Sequence, residues 1–406
     1  MSKPRAVITG IGAISPNGSG TDFHWKATLS GRSGIAELTR FDATGYPAML
    51  AGEVLDFDVA EHIPGRLLPQ TDISTRFALA AAEWAQLDAG LDSTRLRDYD
   101  MGVVTANACG GFDFTHREFD KLWGRGPEYV SVYESFAWFY AVNTGQISIR
   151  HGMRGPGTAL VGEQAGGLDA LGHARRTVLR GTPVVVSGGV DSALDSWGYL
   201  AQLSGGRVTR ATDAERAYLP FDRQASGYVP GEGGAILLVE DADAARVRGA
   251  AQVYGTIAGY AATFDPPPDS PRPPGLARAA EQALADAGLR PADIDVVFAD
   301  AAGVPELDRI EAAAISQIFG AHGVPVAAPK ALIGRLYSGG APLDVVDALL
   351  SMRDEVIPGA PAAIDVPAEY ELDLVIGEPR SQPVRTALVL ARGRHGFNAA
   401  LVLTAN

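Results

Sequence analysis

The sequence predicts a layered α/β fold. Short apolar runs with strand character alternate with segments whose apolar residues recur at helical spacing. The chain also carries 48 glycines and 26 prolines in 406 residues, enough punctuation for many tight turns between short elements.

In chain order, residues 6–12 (Ala-Val-Ile-Thr-Gly-Ile-Gly) read as a buried strand. Residues 73–89 read as a helix, because Phe77, Ala80, Ala81, Trp84 and Leu87 fall on one face. A strand follows at 103–105. Residues 155–167 are rich in small side chains and read as a strand, a sharp elbow and the start of a helix over 165–179. Further strands are expected at 184–187, 235–239, 294–299 and 387–391. A helix over 276–287 ends at Gly288 as C-cap. The proline-rich stretch 266–274 reads as a stiff surface loop.

One pattern recurs. Helix, Asp-Ala-Gly-Leu, turn and buried strand occur at 73–106 and again at 276–300, with Asp88-Ala89-Gly90-Leu91 matching Asp286-Ala287-Gly288-Leu289. In an alanine-rich chain this is either coincidence or the trace of two similar halves. Two halves would divide the chain into residues 1–250 and 251–406.

Charge and composition narrow the function. The net charge of −14 opposes nucleic acid as the main partner, since phosphate affinity comes from basic side chains. No run approaches the about 18 apolar residues that cross a bilayer, so no membrane partner is expected. Cys109 is the only cysteine, which excludes an intrachain disulfide and fits a reducing cytoplasm. A lone cysteine can be a nucleophile, but a small buried hydrophobe is the commoner role. The seven histidines form no pair at metal-binding spacing, so no metal site is expected. Gly10-Ile11-Gly12 resembles the start of a dinucleotide fingerprint, but Ser15 stands where the third glycine belongs and Pro16 opposes an immediate helix.

The elbow is the most informative segment. A side chain there points into a pocket at a helix N-terminus, a field suited to a thiolate or an oxyanion. Position 164 is glutamine, which is neutral and not nucleophilic. Phe221-Asp222-Arg223, followed by Gly227-Tyr228-Val229-Pro230-Gly231-Glu232-Gly233-Gly234, is similar to the Asp-Arg…Gly-Glu-Gly signature of the ketosynthases of the thiolase superfamily. The resemblance spans essentially the whole chain. It implies a five-layer αβαβα fold built from two pseudo-repeated halves.

The resemblance also assigns the site. Gln164 occupies the position of the family's nucleophilic cysteine. Asp300 and Arg335 stand where its two catalytic histidines belong, while Lys330 and Glu311 match the family. The run Glu163-Gln164-Ala165-Gly166-Gly167 resembles one branch, the ketosynthase β subunit or chain-length factor of bacterial type II aromatic polyketide synthases. That resemblance implies a heterodimer with a ketosynthase α subunit and substrates carried on phosphopantetheinylated acyl carrier protein, with no bound cofactor. Glutamine forms no thioester, Asp300 has the wrong sign beside a developing anion, and Arg335 is no base near neutral pH. Independent condensation is therefore not expected. Instead, Asp300 and Arg335 are expected to pair, with the Gln164 amide bridging them or facing backbone groups. The alternative is a malonyl-carrier decarboxylase in which Gln164 binds the thioester carbonyl.

Ten aromatic residues fall between Phe112 and Tyr140, where about two are expected by chance. Such a cluster suits a core or an interface. Phe112, Thr115 and Phe119 share a face if the stretch is helical. The resemblance places these three residues and Trp197 at a tunnel that runs in from the partner's cysteine. Bulky rings at its end would stop growth, and the resemblance implies that two phenylalanines there favour a sixteen-carbon octaketide.

Overall fold

The computed structural model describes residues 4–267, 269–361 and 363–406. Ten strands form two sheets of the same topology. Across the first sheet the order is Ala6–Ser15, Gly233–Asp241, Val184–Asp191, Met101–Ala106, Gly157–Leu160. Across the second it is Gly255–Phe264, Phe397–Thr404, Thr386–Arg392, Val296–Phe298, Pro325–Ala327, with the short strand Asp373–Leu374 beyond. Each sheet thus runs first, fifth, fourth, second, third strand. The first two pairings are antiparallel and the next two parallel in both. The sheets meet edge to edge at Val7↔Thr256 and Ile8↔Gly255.

Helices complete the layers. Gly166–Leu179 and Gly340–Asp354 lie between the sheets and touch both. The second of these is buried almost all round, as a helix with sheet on two sides must be. Ile73–Asp88 covers the outer face of the first sheet, and Leu276–Ala287 and Pro305–Phe319 cover that of the second. The five-layer αβαβα expectation is met.

The repeat in sequence has a physical basis. Asp88 ends one outer helix and accepts the Ile11 N–H (2.9 Å); Asp286 ends the other and accepts the Tyr260 N–H (3.0 Å). Each bond ties a helix end to the first strand of its half. Gly10 and Gly259 let those strands pass under the helices: a Cβ would stand 2.0 Å from the Ala85 carbonyl oxygen and 2.2 Å from that of Ala283. A register shift falls at the matching place in both halves, between Ile8 and Gly10 and opposite Val402/Leu403.

The expected elements are present with small boundary changes. The strand expected at 294–299 is Val296–Phe298, and the helix expected at 165–179 is Gly166–Leu179 after one 3-10 turn. Gly288 caps its helix in the left-handed conformation. The expected loop at 266–274 lies at the surface, apart from Pro268, which falls outside the described residues. Among those residues no helix is long and apolar enough to cross a membrane.

Candidate functional site

Gln164 lies on the turn Glu163–Ala165 that leads into the central helix, and is 6% exposed. The backbone strain of the elbow sits one residue earlier, at Glu163, with φ of 51°. The Glu163 carboxylate holds that geometry by accepting the N–H groups of Arg394 (2.6 Å) and Gln164 (3.2 Å). Gly167 lets the helix approach the segment opposite, where a Cβ would stand 2.4 Å from the Ser338 carbonyl oxygen.

Asp300 follows the strand Val296–Phe298, and Arg335 arrives from the loop before the Gly340–Asp354 helix. Both are buried and they form an ion pair. Arg335 Nη2 donates to the two carboxylate oxygens of Asp300 (3.0 and 2.9 Å) and to the Arg392 carbonyl (2.9 Å). Nη1 donates to the Asp300 carbonyl (3.0 Å). The Arg392 N–H donates to Asp300 Oδ1 (2.9 Å). Burial pushes the Asp300 carboxyl up, but the charges of Arg335 and Lys330 more than offset it and hold the group below the usual carboxylate range.

Of the two arrangements expected for the Gln164 amide, a bridge or a position against backbone groups, the bridge is absent. Arg335 is engaged by Asp300 and two carbonyls, and Asp300 by Arg335 and Arg392, so the pair closes without the amide. Gln164 Oε1 instead faces Gly340, 3.6 Å from where a Cβ would stand. Lys330 is buried and paired with Asp344 (2.5 Å). Glu311 accepts the N–H groups of Asp300 (2.7 Å) and Ala301 (2.9 Å), shaping the loop that carries Asp300. Burial and then the nearby Asp300 charge push its carboxyl up to about 7. Asp308 accepts from Phe221 and Gly303 and is pushed up to about 8 by burial.

A cavity of about 760 Å³ opens beside this site. Buried Tyr228, Arg335 and Arg392 line it together with exposed Arg272 and His395. The described residues lining it include Arg335 and Glu163 but not Gln164. Cys109 is not among the described residues lining that cavity, and burial and the Asp191 charge push its thiol well up, which opposes a nucleophilic thiolate.

The aromatic segment forms the helix Phe112–Gly124 and the turns after it. The rings of Phe112 and Phe119 lie 5.0 and 5.9 Å from that of Trp197, so the structure brings these three together. Thr115 is buried on the same helix, outside that ring cluster. Trp123 (75% exposed), Tyr129, Trp138 and Phe139 are open at the surface.

Two known domain profiles match this chain. The β-ketoacyl synthase N-terminal domain covers residues 3–244 and the C-terminal domain residues 254–362. The chain belongs to the β-ketoacyl synthase family. Within it, the chain falls in the β-subunit branch of aromatic polyketide synthases. It is 67% identical, over 98% of both chains, to the "actinorhodin polyketide putative beta-ketoacyl synthase 2" of Streptomyces coelicolor. It is 57% identical, over 99% of both, to the "tetracenomycin polyketide synthase ketoacyl synthase beta subunit" of Streptomyces glaucescens. Among solved structures, "the ishigamide ketosynthase/chain length factor" matches all of both chains with a TM-score of 0.89 at 26% identity.

The ketosynthase signature is a structural knot here. Glu232 is fully buried, takes two bonds from Arg40 (2.6 and 2.5 Å), one from Ser192 (2.6 Å) and one from the Val54 N–H (3.0 Å). Asp222 accepts from Gln224 and Asp365. Sequence reasoning missed Glu163 and Arg392. Glu163 gave no local sign of its left-handed backbone. Arg392 showed one weak sign, a charge ending the apolar run 387–391.

Proposed function

We propose that this chain is a non-condensing chain-length factor. It pairs with a ketosynthase α subunit and shapes the tunnel that sets poly-β-ketone length, with an octaketide as the favoured product, in aromatic polyketide antibiotic biosynthesis. Chains arrive on phosphopantetheinylated acyl carrier protein, in the cytoplasm. The observation that carries the reading is the closed Asp300–Arg335 pair beside a glutamine elbow: positions 164, 300 and 335 offer neither a sulfur nucleophile nor an imidazole. Gln164, Asp300, Arg335, Lys330 and Glu311 then serve as a plug, and Phe112, Thr115, Phe119 and Trp197 as the length gate.

The gate works by exclusion. Each extension adds two carbons, and forcing them against closed rings costs about 1–3 kcal/mol. That shifts product ratios by about tenfold or more. Phe112→Ala with Phe119→Ala, co-expressed with the α subunit, is expected to yield longer products by mass spectrometry. Unchanged product length would refute the gate.

One observation favours a decarboxylase as second reading: the Asp300–Arg335 pair closes without the Gln164 amide, which leaves that amide for a thioester carbonyl. Carbon dioxide release from malonyl-carrier protein, with the partner's cysteine blocked, separates the two. Release lost on Gln164→Ala supports decarboxylation; no release supports the plug.

A further inference from the structure

One imidazole interrupts the aromatic gate. Phe112, His116, Phe119 and Trp123 recur at i, i+4, i+7 and i+11 along helix Phe112–Gly124 and so share a face. The His116 ring lies 6.4 Å from that of Trp197, within the cluster that Phe112 and Phe119 form with it. His116 is the polar member of the stripe and remains one-third exposed.

Its orientation is fixed from behind. Nδ1 lies 2.8 Å from Oδ2 of Asp195, whose side chain is 6% exposed. Asp195 also caps the helix Ser196–Ser204 by accepting the N–H groups of Trp197 (3.2 Å) and Gly198 (2.8 Å). A carboxylate accepts and does not donate, so Nδ1 carries the proton and Nε2 of the neutral ring holds the lone pair. Oδ1 of Asp120 is 4.0 Å from Nε2, beyond hydrogen-bond reach. One fixed acceptor therefore stands among aromatic rings.

We propose that His116 recognises the growing chain chemically: Nε2 accepts a hydrogen bond from an enol hydroxyl of an unreduced β-polyketone, and Asp195 is the positioning residue. This rests on the reading that Phe112 and Phe119 close the tunnel. A β-diketone enolises readily and presents O–H groups at alternate carbons. A fully saturated acyl chain of equal length presents none there. The gate then combines a steric stop with a polar contact that selects chains still bearing their ketones.

The test uses the heterodimer with its α subunit and reads the ratio of full-length to shorter products by mass spectrometry. His116→Leu is expected to lower that ratio about three- to tenfold, the worth of one hydrogen bond, with heterodimer yield unchanged. His116→Gln, whose amide oxygen extends to a similar reach, is expected to restore most of the loss. Asp195→Asn turns an NH2 group towards Nδ1, moves the imidazole proton to Nε2, and is expected to lower the ratio with His116 still in place.

An unchanged ratio in His116→Leu overturns the proposal. So does an equal loss in His116→Leu and His116→Gln, which marks a packing role, or failure of His116→Leu to assemble, which marks an interface role. Phe112→Ala with Phe119→Ala in the same assay separates the two readings. Longer products there with a silent His116→Leu leave the gate standing without the hydrogen bond; no change in either removes the gate itself.

Discussion

Arg335 and Asp300 form a closed pair. Both are buried, and the guanidinium also satisfies two carbonyls. Arg335→Ala strands the Asp300 carboxylate beside Glu311 and is expected to cost about 3–5 kcal/mol in chemical denaturation. Asp300→Leu with Arg335→Met removes both charges and is expected to recover part of that loss; recovery is incomplete because the two carbonyls lose their donor. pH acts on the same shell. The depressed Asp300 carboxyl adds stability above the ordinary carboxylate range, and this is lost as pH falls through its folded value. Asp308 has the opposite sign. With its carboxyl pushed up to about 8, the folded chain keeps a proton that the unfolded chain releases above about pH 4. Stability therefore falls as pH rises across that window, by at most about 1.4 kcal/mol per pH unit from this group. Asp308→Asn is expected to flatten the slope between pH 5 and 8; an unaltered slope would contradict it. Gln164, Asp300 and Arg335 were legible because motif residues flank each one. Arg392 and Asp195 were not, because Arg392 reaches Asp300 across 92 positions and Asp195 reaches His116 across 79.

Elements show how far a weak repeat can be trusted. Asp-Ala-Gly-Leu was ambiguous as a string, and only the matched bonds of Asp88 to Ile11 and Asp286 to Tyr260 gave it a shared cause. Asp88→Ala and Asp286→Ala are expected to cost similar amounts, about 1–2 kcal/mol each, since each removes one clasp between a helix end and a strand. A large inequality in urea midpoints would argue that the clasps differ in role. Gly10→Ala and Gly259→Ala are expected to cost more, about 3 kcal/mol, because a Cβ would meet a helix carbonyl oxygen head on. Apolar periodicity placed the strands well but blurred their ends, since a strand stops where its neighbour does. The elbow was also found in the right place, and its strained residue is Glu163. Its tether to the Arg394 N–H comes from a loop 231 positions away.

At the scale of the whole molecule, the exposed rings of Trp123, Tyr129, Trp138 and Phe139 are a surface a solitary soluble chain seldom keeps open. The chain expressed alone is expected to self-associate in size-exclusion chromatography, and co-expression with the proposed α subunit to give one discrete species instead. The sequence by itself determined the α/β class, the family and the absence of sulfur and imidazole at positions 164, 300 and 335. Those are matters of residue type and short-range order. Tertiary structure alone decided that the two halves repeat strand for strand, that Asp300 closes on Arg335 without Gln164, and that Asp195 orients His116 among the rings. The reason is distance along the chain: each of those facts depends on groups brought together by sheet pairing and helix packing, where local pattern carries no information about which partners will meet.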